Sequence, residues 1–249
     1  DNADVYGFDW GGTGFGSVEE ILGSVLAVAP TLRDRMVLAT KGGIVPPVPY
    51  DSSPTALRSA CEASLRRMRV DVIDLYQIHR PVLFDQPADG AATLAALRIE
   101  GKIREVGVSN HTPAQVAAIA VHLPFPIASN QPEYSALHLD PLRDGTFDAC
   151  MRSGTAALAW SPLGGGRLAT GDGVRPELLT VLDGLAEREG VDRATVAIAF
   201  VLAHPAAPVA IIGSQSPARI AGATAALDVE LTRADVYAII QASEGVPLP

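Results

Sequence analysis

The chain is 249 residues long, 48% hydrophobic and 19% charged, which excludes a disordered chain and provides enough apolar residues for a large core. Its 28 acidic residues against 19 basic ones give a formal net charge of −9, arguing against nucleic acid or an anionic membrane as the main partner and for a small molecule. The two cysteines, Cys61 and Cys150, both sit in apolar helical patterns and are too few for a disulfide scaffold, so a reducing, cytoplasmic setting is expected. No apolar stretch reaches the roughly eighteen residues of a membrane span, and the first ten residues lack the basic start and apolar core of a signal peptide.

In chain order, short apolar runs alternate with longer amphipathic ones. Period-two or continuous apolar patterns predict strands at 36–40, 72–78, 104–108, 127–130, 156–160 and 209–212. Helical periodicity predicts helices at 18–28, 53–68, 88–101, 113–121, 144–152, 176–189, 193–202, 217–227 and 233–243. Start signals reinforce two of them, Ser-Ser-Pro at 52–54 and Thr-Pro at 112–113. Such alternation predicts an α/β protein with a parallel sheet and outer helices. With no linker or low-complexity tract, residues 1–249 read as one domain.

Polar and reactive residues cluster where the predicted strands stop: Lys41, His79, Ser109 with Asn110, Gln131, Ser161 and Gly213 with Ser214. Chemistry at successive strand ends is the pattern of a TIM (β/α)8 barrel, whose active site lies on the carboxyl face. A doubly wound sheet would instead carry a GxGxxG turn, which neither glycine cluster, 11–16 or 164–166, fits.

Taken singly, Asp1 and Asp4 read equally well as loop acids, Tyr6 as a rim aromatic, Lys41 as a solvated strand end and His79 as a hydrogen-bonded loop histidine. As a set they read differently. A buried lysine beside a tyrosine hydroxyl favours the phenolate, and an aspartate keeps the lysine charged, so the tyrosine becomes a usable proton donor near neutral pH.

The segments carrying these residues resemble the aldo-keto reductases: DNADVYG at the start, TKGG, DLYQIHRP, GKIREVGVSN, SNQPEYS, AWSPLGGGRL and IIGSQSPARI follow in that family's order and spacing, as far as about residue 227. The resemblance implies NAD(P)H-dependent reduction of aldehydes or ketones to alcohols on a TIM barrel. It implies Tyr6 as general acid, Lys41 as its neighbour, Asp1 as the partner of Lys41, and His79 as the residue that orients the substrate carbonyl. It also implies cofactor contacts from Ser109, Asn110 and Gln131 to the nicotinamide carboxamide, and from Trp160, with Ser161 next to it, to the nicotinamide ring. Leu163, Gly165 and Arg167 would lie along the pyrophosphate, and Gly213, Ser214, Gln215 and Arg219 at the adenosine ribose and its 2′-phosphate. Gly213 stands where better-known members carry a lysine, so Arg219 is the firm positive charge of that motif. NADPH is the expected cofactor, with NADH possible.

The residues around the expected pocket mouth, Phe8, Trp10, 81–84 and 246–249, are mostly apolar and suit small aldehydes, ketones or quinones better than charged sugars. Two other functions stay open: a non-catalytic NADPH-binding regulatory barrel, and a lyase forming a Schiff base at Lys41. Counting strands gives a further expectation. Six are predicted where a complete barrel has eight, and Asp1 falls where the family places the end of its second strand. The first strand, the first helix and most of the second strand, roughly 40–50 residues, are therefore expected to be missing, leaving the barrel incomplete with only strands 3 to 8.

Overall fold

The computed structural model describes residues 1–8 and 13–247, so the expectations placed on Trp10, on glycines 11 and 12 and on residues 248–249 lie outside the described residues. The chain forms two compact units, residues 1–130 and 131–249.

In the first unit, helix α1 (Ser17–Val28) and a 3-10 turn (Pro30–Arg35) lead to strand β1 (Ala39–Gly42). A hairpin, β2 (Ile44–Val45) and β3 (Val48–Tyr50), precedes α2 (Pro54–Met68) and β4 (Ile73–Ile78). There follow α3 (Pro87–Ile99), β5 (Ile103–Ser109) and α4 (Pro113–Ala120), and the last residue of strand β6 (Ser129–Gln131) is the first of the second unit. The ladder β1, β4, β5 is parallel, with Lys41 opposite Gln77 and Gln77 opposite Gly107. That single row fixes the site described below, because side chains at one level of a parallel ladder point to the same face.

Local chemistry explains the boundaries. Ser53 caps α2 by accepting from the Ala56 N–H, with Pro54 at the first helical position. Thr112 and Gln115 form a reciprocal capping box on α4, again followed by proline. Helix α1 buries Glu19, Gly23 and Leu26 and leaves Ile21, Val25 and Val28 exposed. A Cβ on Gly23 would collide with the Arg67 carbonyl, so glycine here lets the backbones of α1 and α2 come almost into contact. The core of this unit gathers Leu57, Met68, Ile73, Tyr76, Leu94, Leu97, Ile103 and Val106, all fully or almost fully buried.

The second unit contains a 3-10 turn (Asp140–Leu142), α5 (Thr146–Ser153) and β7 (Ala156–Trp160). Then come α6 (Arg167–Thr170), α7 (Pro176–Glu189), α8 (Arg193–Leu202), β8 (Val209–Ile211), α9 (Pro217–Gly222), a 3-10 turn (Ala223–Leu227) and α10 (Arg233–Glu244). Strands β7 and β8 are parallel, with Trp160 opposite Ile211. Tyr134, Phe147, Leu168, Leu178, Leu182 and Phe200 form its core, where the Tyr134 and Phe147 rings meet edge to face at 4.8 Å.

Several expectations need correction. Lys41 is not at a strand end but inside β1, which starts three residues later than predicted and runs to Gly42. The helix predicted over 217–227 is a short α-helix followed by a 3-10 turn, and residues 44–50, where no strand is predicted, form a hairpin. No helix among the described residues is long and apolar enough to cross a membrane.

Candidate functional site

The row Lys41, Gln77, Gly107 builds the centre of the site in the first unit. Lys41 is 1% exposed, and its ammonium donates to Asp1 Oδ2 at 2.7 Å, to the Asn2 carbonyl at 2.7 Å and to the Tyr6 hydroxyl at 3.3 Å. The Asn2 and Asp4 N–H groups donate to the Ala39 and Lys41 carbonyls, so the first residues run along β1 and the short turn 4–7 brings Tyr6 back over the lysine. Gln77 Nε2 donates to Asp1 Oδ1 at 3.4 Å, while Gln77 Oε1 accepts from Ser129 Oγ at 3.3 Å. Gly107 leaves the room those two side chains fill, since a Cβ there would strike Ser129 Oγ.

His79 follows β4 directly, and its ring meets Tyr6 edge to face at 5.9 Å. Burial first, then the Lys41 and Arg80 charges, push its imidazole down to about 3, so it is neutral at physiological pH. Its Nδ1 is buried with no partner among the described residues. Ser109 ends β5, and Asn110, with φ 58°, turns its amide to donate to Ser109 Oγ at 2.8 Å and to the His79 carbonyl at 3.3 Å. His111 Nδ1 lies 2.8 Å from the Ser109 carbonyl, and Asn130 Nδ2 donates to the His111 carbonyl at 2.9 Å. The structure thus gathers Asp1, Tyr6, Lys41, His79, Ser109 and Asn110 in one unit.

Burial also lowers the Lys41 ammonium from the usual lysine range, opposed by Tyr6 and nearby acids. The Asp4 carboxyl moves the other way, pushed up to about 7 by burial and then by Glu19. His111 is pushed down to about 4, again by burial. These values fix a pH dependence of stability. Between about pH 4 and 6.5 the unfolded chain protonates His79 and His111 while the native state does not, so stability rises with pH. Over the same window native Asp4 keeps a proton that the unfolded chain has lost, so its contribution falls with pH. The two histidines outweigh the one carboxyl, so together these three groups make stability rise toward neutrality. Asp4→Asn removes the opposing contribution and is expected to steepen that rise; denaturation midpoints measured between pH 4.5 and 6 check it, and an unchanged or shallower slope refutes it.

The remaining expected residues lie in the second unit. Gln131 is buried at the end of β6, and half-buried Trp160 ends β7, its backbone N–H donating to the Pro132 carbonyl at 3.0 Å. Ser161 has φ 56°, and its Oγ accepts from the Gly165 N–H at 2.9 Å. Leu163 packs against the core, while Gly164, Gly165 and Gly166 take left-handed φ values of 56°, 70° and 91°. Added Cβ atoms on Gly165 or Gly166 would stand in open space. The N–H groups of all three glycines are already used inside the turn. An anion here would therefore depend on the exposed Arg167 side chain, whose Nε donates to the Gly164 carbonyl at 3.0 Å, rather than on backbone donors.

Gly213 and Gln215 are exposed after β8; the Ser214 Oγ accepts from Ser216 N–H, and Ser216 Oγ from Arg219 N–H. Arg219 itself is exposed on α9, which has only six residues, so the helix dipole expected there is small. Sequence reasoning passed over Gln77, Asn2 and Glu19. Gln77 was detectable: it is a polar residue in an apolar strand, two positions before His79 and so on the same face. The Asn2 contribution is a carbonyl, for which side-chain identity carries no signal.

Comparison with known proteins shows the family. The Aldo/keto reductase family matches residues 1–244, and the chain belongs to it. The chain is 49% identical over its whole length to a 6-dehydroglucose reductase of Novosphingobium aromaticivorans, covering 82% of that protein. It is 37% identical, over 94% of this chain and 78% of the other, to a 6-dehydroglucose reductase of Agrobacterium fabrum. In fold it resembles a thermostable aldo-keto reductase crystallised with the inhibitor epalrestat, with a TM-score of 0.83 at 23% identity over 97% of this chain and 81% of that one.

Proposed function

We propose that the protein is an NADPH-dependent reductase of aldehydes or ketones in which Tyr6 is the proton donor. The observation that carries this reading is the buried Lys41 ammonium held between the Asp1 carboxylate at 2.7 Å and the Tyr6 hydroxyl at 3.3 Å. The buried ammonium faces the oxygen on which charge develops when the proton leaves, and Asp1 and Asn2 fix its position at no cost in reorganisation. Neutral His79 can hydrogen-bond a substrate carbonyl and orient it toward Tyr6 without bringing a charge of its own.

The residues present suit a nicotinamide dinucleotide. His79 Nδ1 is a buried polar atom with no partner among the described residues, and the open side of the Gly165–Gly166 turn admits a bulky group close to the backbone. Ser109, Asn110 and Gln131 would hold the carboxamide, which needs both donors and an acceptor, and Trp160 would stack on the ring. Arg167 would pair with pyrophosphate, and Gly213, Ser214, Gln215 and Arg219 would hold the ribose and its phosphate. When bound, the cofactor supplies the two reducing electrons that the protein lacks.

Steady-state consumption of NADPH with a panel of small aldehydes, ketones, quinones and 6-dehydroglucose tests the reading. Carbonyl-dependent turnover is the expected result. NADPH binding without consumption by any carbonyl would favour a regulatory barrel, and borohydride trapping of substrate on Lys41 would favour a lyase.

Cofactor preference tests Arg219. Because its guanidinium is exposed, Arg219→Ala should weaken NADPH binding by about one decade, the scale of a solvent-screened contact to a charged group, and leave NADH binding nearly unchanged. Titrations of both cofactors check it; equal losses would mean that Arg219 does not read the 2′-phosphate.

A further inference from the structure

Behind the Lys41–Tyr6 pair lies a second buried group of charges that the proposed chemistry does not use. Glu19, fully buried on α1, accepts from Thr40 Oγ1 at 2.5 Å and pairs with Arg67 of α2 at 2.7 Å. Thr40 and Lys41 are consecutive on β1, so their side chains leave opposite faces of one strand. Asp4 completes the group. It is 1% exposed, its N–H donates to the Lys41 carbonyl at 3.0 Å, and its Oδ1 has no partner among the described residues.

Lys41 is matched by Asp1 and Arg67 by Glu19, each at 2.7 Å, and both pairs are largely removed from solvent. An ionised Asp4 has no ion-pair partner of its own among the described residues. The groups that act on it are Glu19 from α1, Arg67 from α2, Lys41 from β1 and Tyr76 from β4; its carboxylate accepts from the Val5 N–H, and the Asp1 α-ammonium adjoins Lys41. An unpaired buried carboxylate with an unsatisfied oxygen is costly, and structures keep one only where something compensates.

We propose that Asp4 is a positioning residue whose gain or loss of a proton sets the charge behind the Lys41–Tyr6 pair, with the Glu19–Arg67 ion pair as the fixed neighbour that tunes it. This rests on reading Tyr6 and Lys41 as the proton-donating pair. With Asp4 neutral, Lys41 sees two closed ion pairs. Once Asp4 releases its proton to solvent, it adds a negative charge that favours the ammonium form of Lys41. Ionised Asp4 thus keeps Lys41 charged to higher pH than burial alone would allow. Burial acts consistently on both, raising the Asp4 carboxyl to about 7 and lowering Lys41.

Two measurements test the proposal. In the free protein, the infrared carbonyl band of a buried protonated carboxyl should disappear as pH rises through neutrality and be absent from Asp4→Asn. In Glu19→Gln the like charge is gone, so the same band should titrate at lower pH, by about one unit. In the pH profile of kcat/KM with NADPH, the alkaline limb of Asp4→Asn should move to lower pH by about half a unit or more while NADPH affinity stays the same. A band that titrates in the ordinary carboxylate range, or does not respond to Glu19→Gln, overturns the proposal. So does an Asp4→Asn profile superimposable on that of the wild type. If Asp4→Asn does not fold, the wild-type and Glu19→Gln titrations decide. The infrared result is independent of turnover, so failure of the Tyr6 reading would show as full activity in Tyr6→Phe and not as a lost Asp4 titration.

Discussion

Tyr6→Phe should retain NADPH binding and lose turnover by about 100-fold or more, the scale of general acid catalysis. The phenyl ring keeps the edge-to-face contact with His79, at a centroid separation of 5.9 Å, and the cation–π contact with Lys41, at 5.0 Å, so the site should not collapse. What disappears is the hydroxyl 3.3 Å from the lysine. A proton must then come from solvent, in a site walled by buried groups. Fluorescence titration with NADPH and steady-state kinetics separate the two effects, and a near-normal kcat in the variant would reject Tyr6 as donor.

Lys41→Met should be comparably damaging, for a different reason. Methionine fills most of the lysine's volume but offers no donor, so Asp1 Oδ2, the Asn2 carbonyl and the Tyr6 oxygen all lose a partner at once. Breaking a largely buried ion pair on one side costs on the order of 3–5 kcal/mol, less whatever Asp1 recovers from Gln77. A fall in kcat of about 100-fold or more is expected, together with loss of the alkaline limb that the proposed mechanism assigns to the Lys41 proton. Thermal melts should show the destabilisation, and the pH profile should show the chemistry. A variant that is destabilised but keeps the wild-type pH profile would make Lys41 structural only.

The elements were legible in the sequence wherever local signals agreed. α7 and α8 begin and end where periodicity placed them, and Asp192 caps α8 as its type suggests. β7 likewise matches its apolar run over 156–160. The misses have physical causes. The 44–50 hairpin was obscured by Pro46, Pro47 and Pro49, which sequence rules exclude from most strands. At 36–38 the apolar run overshoots the strand: Leu38 is buried and its carbonyl accepts from the Leu75 N–H, but Val37 is exposed, so apolar type alone does not mark where the ladder begins.

The candidate site was legible as a set of side chains and illegible as a network. Tyr6, Lys41, Asp1 and His79 could be singled out by type and order, but nothing local announces that Glu19 on a helix reaches Thr40 and Arg67, since those contacts span 21 and 48 residues of chain. Asp4 was read equally well as a loop acid; only its burial distinguishes it. In the second unit the glycine turn was expected to present its backbone to phosphate. The structure keeps the space and withdraws the donors, a distinction that depends on φ values no sequence states.

The most direct measurement is a single turnover with enzyme in excess over NADPH, in which cofactor consumption and alcohol formation are followed together for the wild type and Tyr6→Phe. The account predicts one alcohol formed per NADPH consumed in the wild type, and a rate lower by about 100-fold or more in the variant at equal cofactor occupancy. NADPH that stays bound and unconsumed in the wild type with every carbonyl offered, or equal rates in the two proteins, would contradict it.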